Sequence, residues 1–203
     1  MPYADMPAFI AKLTPADEHG PAARALAFII LTAARLSEAL GATWDEIDFD
    51  TRTWTVPAAR MKMGKPHAVP LSDAALDILK RQAAAKTDKG PLVFPGSRPR
   101  RPVSPTALTV TLSRLGAADF TVHGFRAAMR SWAADNGVEF ELAEQCLAHA
   151  VGNSAVQAYQ RSSMIERRRP VMQRWADFLA GKGAAKVVSI GSRQKATAGQ
   201  RRG

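Results

Sequence analysis

The amino-acid sequence predicts a mainly α-helical domain with a small antiparallel β-sheet. Three observations lead to this fold class. Apolar residues recur with helical spacing over most of the chain. One stretch, residues 53–70, instead shows two strand-like runs around a glycine turn. The chain has 203 residues, 46% of them hydrophobic, which suffices for one domain with a real core.

The first fifth of the chain predicts two helices. The first covers roughly Met6–Leu13, and the second covers Pro21–Leu40, where a proline suits the first turn and Gly41 suits the end. The second helix is apolar on almost every side, so it should be buried. Arg35 lies within it, and a buried charge needs a partner or a function. Glu38, three residues further on, is the simplest partner.

The next stretch predicts the sheet. Thr53–Val56 (TWTV) has the composition of a strand, and a second strand ends at Ala68–Pro70. Met61–Lys65 (MKMGK) is predicted to form the turn between them, with Gly64 at the tight position. Lys62 therefore lies on or beside a hairpin. A lysine there is either functional or a solvated edge residue.

Helices are predicted for most of the remainder. Ser72 is expected to cap a helix ending near Ala85 that turns Leu76, Ile78 and Leu79 inward. The Pro-, Gly- and Arg-rich stretch 87–105 is expected to be a loop, whose run SRPRRP either touches a phosphate backbone or is merely solvated. The further predicted helices are Thr106–Leu115, Thr121–Asp135 ended by Asn136-Gly137, Glu139–Leu147, and Ser154–Gln160 after a loop at Ala150–Asn153.

A last helix should run to about Leu179. Ser163 and Glu166 form an SxxE capping box at its start, and Pro170 should kink it or mark its real start. From Gly181 onward the chain is rich in Gly, Ala, Lys and Arg and is predicted to be a tail.

Charge and composition narrow the functional classes. The formal net charge is +10 and the pI is near 10.4. A charge this large favours a polyanionic partner over a role in solubility alone. Nucleic acid is the preferred partner, and an anionic membrane surface is the second choice. Cys146 lies in an apolar run, so its side chain should be packed. Because it is the single cysteine, the chain cannot form an internal disulfide, which fits a reducing compartment. The sequence contains neither a membrane-spanning apolar run nor a signal peptide, so a cytoplasmic protein is expected.

The stretch 121–161 concentrates polar residues suited to phosphate chemistry. His123 and Arg126 are three residues apart, so on a helix they share a face. An imidazole and a guanidinium that converge suit an anionic group, with phosphate favoured. His149 follows, and Tyr159 offers a hydroxyl that can act as a nucleophile.

Several motifs together resemble a known family. They are, in order, AARLSEALGATWDEID, RMKMGKPHAVPLS, HGFR, LAHAVGNSAVQAYQR and ERRRPVMQRWADFL. Over nearly all of residues 1–180 the sequence resembles the catalytic domain of tyrosine recombinases, the phage-integrase family, and most closely the integrases of P4-like prophages and genomic islands. The resemblance implies a tyrosine recombinase catalytic domain over residues 1–180, followed by a basic, flexible tail over residues 181–203.

The resemblance also implies residue roles in DNA strand cleavage. Arg35 and Arg126 would hold the scissile phosphate, and His149 would hydrogen-bond it.

The resemblance assigns the proton transfers and the covalent bond to three further residues. Lys62 would protonate the leaving 5′ oxygen, His123 would assist the nucleophile, and Tyr159 would become joined to the 3′ phosphate.

Some of these assignments have alternatives. Glu38 either orients Arg35 for phosphate or only forms a helix ion pair with it. Lys65 shares the hairpin with Lys62, which is preferred because it stands seven residues before Val69, the spacing usual in the family. His149 could be a core histidine.

Other residues near the site are less specific. Lys65, Arg130 and Arg161 are candidate contacts to the DNA backbone, or are solvated. His67 is interpreted as a strand residue beside the site and receives no role.

The implied activity is site-specific recombination, integrating or excising a mobile element at double-stranded attachment sites. Arginines would replace a metal, and no cofactor is expected. The resemblance implies that full-length proteins of this kind usually carry N-terminal DNA-binding domains and act as tetramers on DNA. This chain is therefore expected to be an excised domain or truncated product, monomeric by itself. A type IB topoisomerase and a catalytically silent DNA-binding fragment are the alternatives.

Overall fold

Helices make up most of the computed structural model, which describes residues 1–14, 20–85, 90–98, 100–149 and 164–182. The α-helices are α1 (Met6–Leu13), α2 (Gly20–Thr32), α3 (Leu36–Leu40), α4 (Asp73–Ala84), α5 (Pro105–Arg114), α6 (Gly124–Asp135), α7 (Phe140–Cys146) and α8 (Met164–Leu179). The strands are β1 (Ile47–Asp48), β2 (Thr53–Val56) and β3 (His67–Pro70). The predicted fold class is confirmed.

Helix α2 forms the centre of the core. Every residue from Ala23 to Thr32 is buried, because α1, α4, α5 and α8 all pack against this helix. The ring of Phe28 lies 5.2 Å from that of Trp54 and 5.4 Å from that of Phe94. On α8, the indole nitrogen of Trp175 donates to the Ile30 carbonyl at 2.9 Å. The all-round apolar character of this segment thus reflects neighbours on every side.

The prediction of one continuous helix over Pro21–Leu40 is wrong. The chain leaves the helix at Thr32, Ala33 adopts a left-handed conformation with φ 50°, and Arg35 is extended before α3 begins. The break is stabilised by the Glu38 carboxylate, which accepts a hydrogen bond from the Arg35 backbone N–H at 2.9 Å. Apolar periodicity continues through the break, and no glycine marks it, so the sequence pattern does not reveal it.

The sheet has three antiparallel strands in the order β1-β2-β3. Both predicted strands are confirmed, and the two-residue strand β1 was not predicted. Trp54 is opposite Val69, and the last pair before the connection is Val56 with His67. The connection, residues 57–66, is longer than a tight hairpin turn and contains a short 3₁₀ turn at Ala58–Arg60.

The remaining helix predictions that fall on described residues agree with the structure within a few residues. The Ser72 hydroxyl caps α4 by accepting from the Ala75 N–H at 3.3 Å, and Gly137 ends α6 in the left-handed conformation with φ 69°. Cys146 is buried as predicted, and its burial raises the pKa of the thiol to about 12. Within the described ranges, no helix is long and apolar enough to cross a membrane.

Helix α8 starts at Met164 and runs through Pro170, so this proline does not mark its start. Buried residues on the C-terminal side of the proline, Val171, Met172 and Trp175, keep the helix packed on the core in spite of the lost N–H. Ser163 and the predicted elements over residues 150–160 lie outside the described residues.

Trp175→Phe should lower the free energy of unfolding by about 3 kcal/mol, because it removes both a buried hydrogen bond and core volume. Tyr3→Phe is the matched control: its hydroxyl donates to Asp135 at 2.7 Å near the surface, so the loss should stay below about 1 kcal/mol. Urea titration of both variants measures the difference. Equal losses would contradict the central role of this contact.

Candidate active site

Arg126 lies on the first turn of α6, and its guanidinium is held among backbone carbonyls. The residue is 4% exposed. Nη1 donates to the Ala33 carbonyl, and Nη2 donates to the Leu147 carbonyl at 2.5 Å and lies 3.2 Å from His149 Nε2. Burial, then the neighbouring Arg35, lowers the pKa of Arg126 to about 10, so the group remains a cation at neutral pH.

One donor of Arg126 is unsatisfied. Its Nε is buried and has no hydrogen-bond partner in the part of the chain that the structure describes. A buried polar atom without a partner is costly and is often a mark of a functional site.

Arg35 reaches the same place from the break between α2 and α3. Its Nη1 pairs with Glu38 Oε1 at 2.8 Å, and its Nη2 donates to the Ala148 carbonyl at 3.3 Å. Glu38 is 2% exposed, and it accepts from the Arg35 backbone as well as from the side chain. The predicted Arg35–Glu38 pair is therefore confirmed, and the same carboxylate fixes the direction of the guanidinium.

The two arginines converge because their acceptors are consecutive residues. Leu147 and Ala148 follow α7 directly, and Ala148 adopts a left-handed conformation with φ 52°. The Leu147 carbonyl accepts a hydrogen bond from Arg126 and the Ala148 carbonyl accepts one from Arg35, so two cations lie side by side at the end of α7. Such a pair of forked donors suits an oxyanion with several acceptor oxygens.

His149 completes this group through Glu144, a residue that the sequence analysis missed. Its Nδ1 lies 2.7 Å from Glu144 Oε2, while Arg130 Nε pairs with Oε1 of the same carboxylate. Burial acts to raise the pKa of Glu144, but the hydrogen bonds from Arg130 and His149 outweigh it and hold the pKa below its usual value. The His149 side chain is 38% exposed, and the choice between a functional and a core histidine stays a prediction.

Only weak sequence signals point to Glu144. A carboxylate five residues before a histidine does not share a helix face with it, and the contact forms because the chain turns after α7. The Arg130 guanidinium also lies 5.4 Å from the ring centre of Phe140, so it contacts both this ring and Glu144. Its predicted role on the DNA backbone stays a prediction.

His67, to which the sequence analysis assigned no role, lies close enough to Arg168, Arg35 and Arg126 to be affected by their charges. Its Nε2 is 3.4 Å from Nη1 of Arg168. Burial, followed by the charges of Arg168, Arg35 and Arg126, lowers the pKa of His67 to about 3. The imidazole is therefore neutral at pH 7 and can accept a hydrogen bond from an arginine.

No contact among the described residues connects the other predicted site residues to Arg35, Arg126 and His149. Lys62 and Lys65 are exposed on the connection between β2 and β3, and His123 is exposed at the start of α6. None of these three side chains has a hydrogen bond or ion pair among the residues with described placement. Tyr159 and Arg161 lie outside the described residues.

Comparison with known proteins agrees with this arrangement. The model of the phage integrase family matches residues 5–166. The chain is 38% identical over 161 residues to prophage integrase IntA of Escherichia coli K12, covering 78% of this chain and 39% of the relative. It is 32% identical over 197 residues to the integrase of Enterobacteria phage P4, covering 88% and 45%. The chain thus spans less than half the length of these curated relatives.

One solved structure shares the fold. It is the integrase of transposon Tn1549 (residues 82–397) in complex with circular intermediate DNA, with a TM-score of 0.54 and 16% identity over 76% of this chain and 62% of the other. The helical architecture and its small sheet define a tyrosine recombinase catalytic-domain fold. Because the family model matches residues 5–166, which is most of this chain, the chain belongs to the phage integrase family.

His67→Gln should make stability less sensitive to acid. The folded protein keeps His67 neutral, whereas the unfolded chain protonates it near its ordinary pKa of 6.5, so wild-type stability falls as pH drops below that value. Between pH 7 and pH 5 the wild type should lose about 2 kcal/mol more than the variant. Urea unfolding at pH 7, 6 and 5 measures this, and parallel pH profiles would contradict a neutral His67.

Proposed function

We propose that this chain catalyses DNA strand cleavage and rejoining in site-specific recombination, through a 3′-phosphotyrosyl intermediate. The observation that carries the proposal is the pair of guanidinium groups, Arg35 and Arg126, on the consecutive carbonyls of Ala148 and Leu147, beside His149. Membership of the phage integrase family, whose named members here are integrases, supports the same chemistry.

The two arginines supply what the transition state needs. During phosphoryl transfer, negative charge spreads over the non-bridging oxygens, and cations already held in place stabilise it without reorganisation. Arg126 is fixed by Ala33 and Leu147, and Arg35 is fixed by Glu38 and Ala148. His149, oriented by Glu144, can donate a further hydrogen bond to the phosphate when it carries a proton on Nε2.

The covalent steps are assigned to Tyr159 and Lys62. The Tyr159 oxygen attacks phosphorus, a bond forms to the 3′ phosphate, and the bond from phosphorus to the 5′ oxygen breaks. The Lys62 ammonium gives its proton to that oxygen, and His123 accepts the proton that the Tyr159 hydroxyl loses. Rejoining reverses these steps with a 5′ hydroxyl of another strand, so the bond energy is conserved and no nucleotide is consumed.

The partner in this proposal is double-stranded DNA carrying attachment sites. A net charge of +10 favours contact with the phosphate backbone, and such binding weakens steeply with salt. Lys65, Arg130 and Arg161 are the proposed backbone contacts outside the reacting group.

Tyr159→Phe should abolish covalent DNA attachment, because only the hydroxyl is lost, and should leave DNA affinity within about twofold. The test uses a suicide duplex from the attachment region with a nick near the cleavage site. The short fragment that cleavage releases diffuses away, so the strand cannot be rejoined and the protein stays covalently attached to the DNA. Wild-type protein should give a slow-migrating band on a denaturing gel. DNA binding without any trapped band, by this chain and by any longer gene product that contains it, would favour a binding-only function. Relaxation of supercoils without recombination would favour a topoisomerase.

Arg126→Lys should slow covalent attachment by about 10²–10³-fold, because a lysine keeps the charge but not the planar fork. Arg174→Lys is the matched control: Arg174 is exposed on α8 and donates to the Asn136 carbonyl at 3.0 Å, away from the site. Its rate should stay within about twofold of wild type. Single-turnover rates at saturating protein measure both, and equal rates for the two variants would exclude Arg126 from catalysis.

A further inference from the structure

Arg168 on α8 is a buried cation that makes four hydrogen-bond contacts but, among the described residues, none with a carboxylate. It is 5% exposed, and the ion pairs among the described residues do not include it. Its guanidinium donates to the carbonyls of Ala68 at 2.8 Å, Gln145 at 3.3 Å and Met164 at 3.3 Å. Nη1 also lies 3.4 Å from His67 Nε2, which is an acceptor in the neutral tautomer protonated on Nδ1.

These contacts join two parts of the site that the chain keeps apart. His67 and Ala68 begin β3, and His67 pairs with Val56 at the base of the connection that carries Lys62. Gln145 lies in the last turn of α7, just before the carbonyls that hold Arg126 and Arg35. Arg168 therefore ties the base of the Lys62 connection to the segment that places the two arginines.

An apolar side chain would fill this position at lower cost. Burial lowers the pKa of Arg168, which expresses the penalty of holding its charge away from water. Only a planar fork with five N–H groups can donate in several fixed directions at once, and a lysine ammonium cannot reproduce that pattern. The geometry thus favours a role in alignment over a role in filling the core.

We propose that Arg168 is a positioning residue for the cleavage step, which aligns the Lys62 connection with the Arg35–Arg126–His149 group. This inference rests on the proposed function. Proton transfer to the 5′ oxygen needs the Lys62 ammonium within hydrogen-bond reach, so a small shift of the connection slows departure of the leaving group. DNA binding, which depends on many phosphate contacts, is not affected to the same extent.

The test compares Arg168→Lys with wild type on two suicide substrates, one with the normal 5′ oxygen and one with a bridging 5′ sulfur. A thiolate leaves without protonation, so the sulfur substrate does not need the lysine. Arg168→Lys should cleave the oxygen substrate about tenfold or more slowly and the sulfur substrate within about twofold of wild type. Arg167→Lys, whose exposed side chain on the same helix pairs with the exposed Glu139 at 2.6 Å, should match wild type on both.

Two further variants make the outcome decisive. Lys62→Ala must show the same rescue by sulfur, and its failure to do so would overturn the proposal, since the connection would then not deliver the proton. If Arg168→Lys does not fold, as judged by circular dichroism and thermal melting, His67→Leu decides. That variant removes one acceptor of Arg168 and should show a smaller deficit that sulfur again restores.

Two results with a folded variant count against the positioning role. One is normal cleavage of the oxygen substrate, and the other is an equal loss on both substrates. If wild-type protein cleaves neither substrate, the proposed function itself fails, which is a separate result.

Discussion

The site depends on two backbone turns that aim carbonyl oxygens at guanidinium groups. Ala33 and Ala148 both adopt the left-handed conformation, with φ 50° and 52°, and their carbonyls accept from Arg126 and Arg35 respectively. This conformation is unfavourable for a residue with a β-carbon, by about 1 kcal/mol or more. The hydrogen bonds to the buried Arg126 and the partly buried Arg35 offset that cost, and the carbonyl dipoles allow the two like charges to remain close.

Because the first turn is buried and the second packs against the core, the fold itself sets the positions of both carbonyls. The first turn ends the central helix α2, and the second follows α7, which packs against α6 and α8. Glu38 and Glu144 then each hold one polar group of the site in a fixed direction, Arg35 in the first case and His149 in the second. Neither carboxylate neutralises the site fully, so a net positive field is left for an anionic ligand.

Local sequence patterns predicted most elements but not the contacts that build the site. Strand Thr53–Val56 and the Ser72 cap carry short-range signals, alternation and a hydroxyl at the N-cap, and both are confirmed. The turn at Ala33 carries no glycine or proline, and one of the two contacts that hold it, the hydrogen bond from Arg126, comes from a distant part of the chain. The contacts of Glu144, His67 and Arg168 likewise arise across the fold. Arg168 lies in a run of three arginines, and the sequence does not show which of the three is buried.

The left-handed residues also limit how such a sequence can drift. At positions 33 and 148 the recognised feature is a carbonyl oxygen, so the constraint on the side chain comes from the dihedral angle and, at the buried Ala33, from the space in the core. Glycine, asparagine and alanine satisfy that restriction, whereas valine, isoleucine and threonine do not. Divergent members that keep both arginines should therefore vary among a few small residues at these positions, and an inherited β-branched residue there would accompany loss of the anion site.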